Sequence, residues 1–92
     1  MKPGRPVGAT TYEAEPAIAF GKAERAARVA RQISQEELAT RAGIERSHMG
    51  KIERGQHMPT LALILRVSIA LNDSAANLMT ATESILYADS EG

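Results

Sequence analysis

The 92-residue chain has no cysteine and no tryptophan, one phenylalanine, two tyrosines and two histidines. Without cysteine there can be no disulfide framework, and two histidines alone cannot furnish an ordinary structural zinc site. A cytoplasmic location is the expectation that follows. Long apolar runs are missing too: none approaches the ~18 residues of a membrane span, and Met1 to Pro16 lacks the apolar middle of a signal peptide. There is no Gly-rich phosphate loop followed by lysine, no metal-ligand spacing, and no Ser, His and acid set for nucleophilic chemistry. His48 and His57 have no helical spacing and no third ligand. The chain therefore reads as a non-enzyme with no cofactor, no small-molecule ligand and no membrane. At this length it is one small domain, near the size at which a single core becomes marginal.

Charge is balanced overall and segregated along the chain. Met1 to Arg66 holds all eleven Lys and Arg against seven acids, a balance of +4, while Val67 to Gly92 holds four acids and no base, a balance of −4. Such a division fits one part that faces a polyanion and another turned away from it.

No repeats and no strand-like alternation are present, and the chain reads as five short helices. Residues 1–15, rich in Pro, Gly and Thr, read as a flexible N-terminal arm, and residues 16–92 as the folded domain. Pro16 suits the first turn of a helix running to about Arg31, with Phe20, Ala23, Ala27 and Ala30 inward. Ser34 caps the second helix, with Glu37 completing an S-x-x-E capping box and Leu38, Ala39 and Ala42 forming its apolar stripe. Gly43 ends that helix in the left-handed conformation. A third helix follows at once, with Ile44, Met49 and Ile52 inward, Arg46, Ser47, Gly50, Lys51 and Arg54 on the remaining surface, and Gly55 closing it. Thr60 caps a fourth helix that reaches Leu71, and Asn72 is its left-handed stop. Ser74 caps a short fifth helix containing Leu78 and Met79, to which Glu83 to Tyr87 adds a last turn. Two helices of about two turns cannot stand alone in water, so the Ser34 to Gly55 unit needs its neighbours.

That unit, two short helices around one glycine with a basic second member, is a helix-turn-helix signature. From about Phe20 to Met79 the sequence resembles the Cro/repressor-type (XRE) helix-turn-helix family. The resemblance is carried by Ser34-Gln35-Glu36-Glu37-Leu38-Ala39, Ala42-Gly43-Ile44, Ile52-Glu53-Arg54-Gly55, Pro59-Thr60-Leu61 and Ala70-Leu71. Arg46-Ser47-His48 followed by Ile52-Glu53-Arg54-Gly55 is most similar to the restriction-modification controller proteins and related small plasmid or phage regulators. The fold implied is an all-α, five-helix, lambda-repressor-like DNA-binding domain. The implied partner is double-stranded DNA, with the third helix in the major groove and Arg46, Ser47, His48 and Lys51 as readers. By the same resemblance Gln35 grips a phosphate, Gln56 and His57 lie in a loop that touches the backbone, and Arg28 pairs with Glu53 across helices.

Three positions depart from the family pattern. Glu24 stands where an apolar residue is usual; buried and unpaired it would be costly or have its pKa raised, and a swing outward toward Arg28, one turn away, is the alternative. Gln32 replaces a glycine, so the end of the first helix should be less sharply turned. Glu45 replaces the usual Ser or Thr cap. Lys2-Pro3-Gly4-Arg5-Pro6 resembles the Gly-Arg-Pro core of a minor-groove AT-hook; the favoured alternative makes Lys2 and Arg5 a plain basic tail.

The fourth helix is apolar nearly all round, as in helices buried on more than one side. A homodimer interface using Ile69, Leu78, Ile85, Leu86 and Tyr87 is the expectation; a second core layer is the alternative. Two functions fit these features. One is a homodimeric, sequence-specific transcriptional regulator on a palindromic operator. The other is a helical antitoxin or adaptor whose apolar C-terminal third covers a partner protein, and the basic third helix is what an adaptor would not need.

Overall fold

Capping chemistry sets the boundaries of most helices in the computed structural model, which describes residues 13–88. The order is α1 (Ala14–Ala30), α2 (Gln35–Ala42), α3 (Arg46–Glu53), α4 (Leu61–Ala70) and α5 (Ala75–Leu86). Ser34, Thr60 and Ser74 each accept a hydrogen bond from the backbone N–H three residues on, at 3.0, 3.1 and 3.0 Å. Only half of the expected capping box forms, because Glu37 turns its carboxylate to Arg41 rather than back to its cap. Helix α1 starts two residues earlier than expected, so Ala14 and Glu15 belong to the helix and not to the arm; Pro16 remains in the first turn, where its missing N–H is harmless. Glu13 is the N-cap residue of α1, and residues 1–12 of that arm, with Lys2 and Arg5, lie outside the described residues.

Left-handed residues make the corners. Gly43 (φ 76°) and Gly55 (φ 74°) do so without a Cβ penalty. Asn72 (φ 59°) is the stop its sequence predicts. Gln32 also adopts φ 58°, so the end of α1 turns as sharply as a glycine would turn it, contrary to expectation. The fifth helix is one continuous rod of twelve residues, with no break before Glu83.

Helix α1 lies along α5 and crosses α3, while α2 packs on α3 and α4. Ala17, Ala19 and Ala23 are buried, so small side chains line its inner face; Ala30, expected inward, is exposed. Leu38, Met49, Ile52, Val67, Leu71 and Leu78 form the closed centre of the core beneath α2 and α3. On α4 the core takes Leu63 and Val67, leaving Leu61, Leu65 and Ile69 outward. Leu78, expected in a dimer interface, is 2% exposed and belongs to the core; α5 must turn one apolar row inward to cover α1. Leu86 is half-buried, and Ile69, Ile85 and Tyr87 are exposed. Among the described residues, no single helix is long and apolar enough to cross a membrane.

Candidate nucleic-acid interface

Helix α3 has eight residues, about 12 Å of rod. Its inner row, Met49, Ile52 and Glu53, is buried, which fixes which row must face out. Ser47, Lys51 and Arg54, spaced i, i+4, i+7, then share one line along the exposed side. Arg46 flanks that line next to Gly50 and is exposed; His48 flanks the other side and is half-buried. Arg46, Ser47 and Lys51 are thus exposed on α3, and His48 is half-buried at its flank. Neither Arg46 nor Lys51 has a carboxylate partner among the described residues. Cations on a rigid helix without counter-charges are the complement of a polyanion. Glu45 occupies the N-cap position in an extended conformation, but its side chain makes no cap bond.

Arg54 is the member of this surface that sequence reasoning left off its list of site residues. Its Nε donates to Gln56 Oε1 at 3.2 Å, and its guanidinium lies over Gly50, where a Cβ would meet Nη1 at 3.0 Å. The signal was present as a glycine one turn before an arginine on the exposed row. Gln56 is therefore tied to α3 and not isolated in a loop. His57 follows it, exposed, with its ring against that of His48.

What aims α3 is a polar junction beneath it. Arg28 Nε and Nη2 donate to the two carboxylate oxygens of Glu53 at 2.7 and 2.9 Å, and Nη1 donates to the Ile33 carbonyl at 2.8 Å. This bidentate pair is nearly closed to solvent, with side chains 11% and 2% exposed. Gln35 Nε2 donates to Glu53 Oε1 at 2.9 Å, which links α2 to the same carboxylate. Gln35 was expected to grip phosphate with its side chain and backbone amide; in this structure the side-chain amide braces α3, and its Oε1 would lie 3.7 Å from a Cβ at Gly50. Glu24 does not swing out to Arg28. It is fully buried, and its carboxyl oxygens meet no N–H or O–H donor. Burial, with the Glu53 carboxylate beside it, pushes the Glu24 carboxyl up to about 9. Burial also opposes ionisation of Glu53, but hydrogen bonds from Arg28, Glu24 and Gln35 outweigh it and hold that carboxyl below the usual carboxylate range. Glu24 consequently keeps its proton and Glu53 is the anion that binds Arg28.

Comparison with known proteins agrees with this geometry. A helix-turn-helix family model matches residues 25–74. A 48-residue stretch, 52% of the chain, is 46% identical to an uncharacterized HTH-type transcriptional regulator, y4dL, of Sinorhizobium fredii and covers 24% of it. Another 48-residue match, also 52% of the chain, is 38% identical to the control protein C.SmaI of Serratia marcescens and covers 57% of it. The chain thus spans less than two thirds of the length of either relative. The crystal structure of the restriction-modification controller protein C.AhdI of Aeromonas hydrophila is 39% identical, with a TM-score of 0.66 over 67% of this chain and 94% of that one. The clp gene regulator ClgR of Corynebacterium glutamicum, 22% identical, shares the fold at a TM-score of 0.79 over 83% of this chain and 81% of that one. With half of the sequence under the family model and the α2–turn–α3 unit formed around Gly43, the chain belongs to the helix-turn-helix family.

Proposed function

We propose that this protein is a sequence-specific, DNA-binding transcriptional regulator that occupies a palindromic operator as a homodimer. The observation that carries the reading is the α3 surface, where Arg46, Lys51 and Arg54 stand exposed around Ser47 on a helix braced from behind by Arg28, Glu53 and Gln35. The relatives named as transcriptional regulators and controller proteins support the same class. Arg46 offers a fork for guanine O6 and N7, and Lys51 a point charge for the same acceptors. One such helix covers too little of the groove for strong discrimination, so a second copy supplies the other half-site. The exposed apolar residues Leu61, Leu65 and Ile69 of α4, with Ile85 of α5 and its C-cap residue Tyr87, are the surface assigned to that second copy.

Arg46→Ala should weaken binding to the selected site by ~1 to 3 kcal/mol and relax the preference at one base pair per half-site. Gln35→Ala, which loosens the scaffold and the phosphate side, should weaken binding to all duplexes alike. Equal losses on selected and random DNA for both variants would show that α3 is not the reader.

A further inference from the structure

His48 and His57, nine positions apart, come together on folding with ring centroids 4.6 Å apart, edge to face. His48 belongs to the first turns of α3, and His57 to the loop between Gly55 and α4. Their contact therefore ties the proposed reading helix to the loop beside it. One ring nitrogen of His48, Nε2, is enclosed with no hydrogen-bond partner. A neutral ring meets this constraint by carrying its proton on Nδ1. An imidazolium would need an N–H on both nitrogens and would bury one of them without an acceptor. Burial first, then the neighbouring His57 and Lys51, holds His48 below the ordinary histidine range. Those two groups, one on the loop and one on α3 itself, are the titratable neighbours acting on the ring, and both are basic.

An edge-to-face pair does not point two lone pairs at one spot, as a metal ion would require. Among the described residues no group of three His, Cys, Asp or Glu side chains completes such a site. What the contact does is order the His48 side chain before any DNA arrives, so that its rotamer freedom is lost on folding and not on docking. With Nε2 enclosed, Nδ1–H is the polar edge left for a ligand.

We propose that His57 is a positioning residue for sequence reading: its ring clamps His48 of α3 so that the Nδ1–H donor meets an acceptor on a base edge. The inference rests on α3 being the DNA-reading helix. Protonation of the His48 ring puts an N–H without an acceptor at the enclosed Nε2, beside the Lys51 cation, and opens the clamp. Discrimination between sequences should then decay toward acid pH, even while attraction to phosphates grows.

The test measures Kd at about pH 7.5 and about pH 5.5 for two probes at one salt concentration: the duplex that the wild-type protein enriches from a random pool, and a random duplex. Their ratio reports reading, because phosphate attraction is common to both. The wild-type ratio is expected to fall ~3- to 10-fold at the lower pH, and His57→Ala to lose a similar factor already at the higher one, the worth of about one hydrogen bond. His57→Phe, which keeps a ring in the contact, should hold the wild-type ratio within about twofold at the higher pH. A His57→Ala ratio equal to wild type, or a His57→Phe ratio as low as that of His57→Ala, overturns the proposal. Arg46→Ala in the same assay separates the two levels. If it leaves the ratio unchanged, the reading helix itself is misassigned; if it lowers the ratio while His57→Ala does not, only the clamp falls.

Discussion

A carboxyl group buried against a second carboxylate forces one of the two to keep its proton, and Glu24 is the one that does. Its pKa of about 9 stands far above the 4.5 of an exposed glutamate, so the folded chain holds a proton that the unfolded chain releases. The contribution of this group is therefore fully present below pH 4.5 and is lost as pH rises toward 9, at up to ~1.4 kcal/mol per pH unit. Glu53, shifted down, acts in the opposite sense and only at acid pH, losing its contribution as pH drops below the usual carboxylate range. Glu24→Gln should stabilise the protein by ~1 to 3 kcal/mol at about pH 8 and remove most of this slope in thermal unfolding. An unchanged slope would mean that Glu24 is not the group holding the proton. The sequence marks Glu24 as an odd residue on an apolar face and ties its burial to a raised pKa, but it does not decide between that burial and the swing toward Arg28, which does not occur. Arg28, its neighbour one turn on, spends its donors on Glu53 of α3 and the Ile33 carbonyl of the loop before α2, and that arrangement exists only after folding. The Arg28–Glu53 pair itself was legible, through the family resemblance.

The helices were largely legible because capping is local chemistry. Ser34, Thr60 and Ser74 declare three of the five starts, and Gly43 and Asn72 declare two ends. Gln32 was misread because its left-handed conformation is imposed from outside the residue: bonds from the Gln32 and Ile33 N–H groups back to Val29 and Arg28 close the turn, and Arg28 anchors the Ile33 carbonyl. Gly21 gave no signal at all inside an otherwise ordinary helix. It marks where α1 crosses the last turn of α3, and a Cβ there would stand 2.4 Å from the Ile52 carbonyl oxygen and 2.7 Å from that of Glu53. Both neighbours are backbone, so neither can rotate away. Gly21→Ala gains helix propensity on α1, yet it should lower stability by ~1 to 3 kcal/mol, because α3 must move outward and strain its contacts with Arg28. Chemical denaturation checks the sign; a variant as stable as wild type would show that the two helices are not in backbone contact.

At the scale of the molecule, exposed cations and exposed apolar residues belong to different helices. Arg46 and Lys51 of α3 are exposed, and α4 presents Leu61, Leu65 and Ile69 at 71%, 45% and 76% exposure. The sequence supplied the excess of apolar residues on α4 and α5 but not their sorting between core and surface, which is why Leu78 of α5 was placed at an interface and is instead in the core. Ile69→Asp, remote from the core, should leave the helix content intact while making the protein monomeric in sedimentation at micromolar concentration. A dimer unaffected by this change would move the interface elsewhere. The central claim, that two copies of α3 read DNA around a two-fold axis, is tested most directly by enriching bound sequences from a random duplex pool. The account predicts a palindrome whose half-sites are centred about one helical turn, ~34 Å, apart. No enriched sequence, or a single site without symmetry, would contradict it.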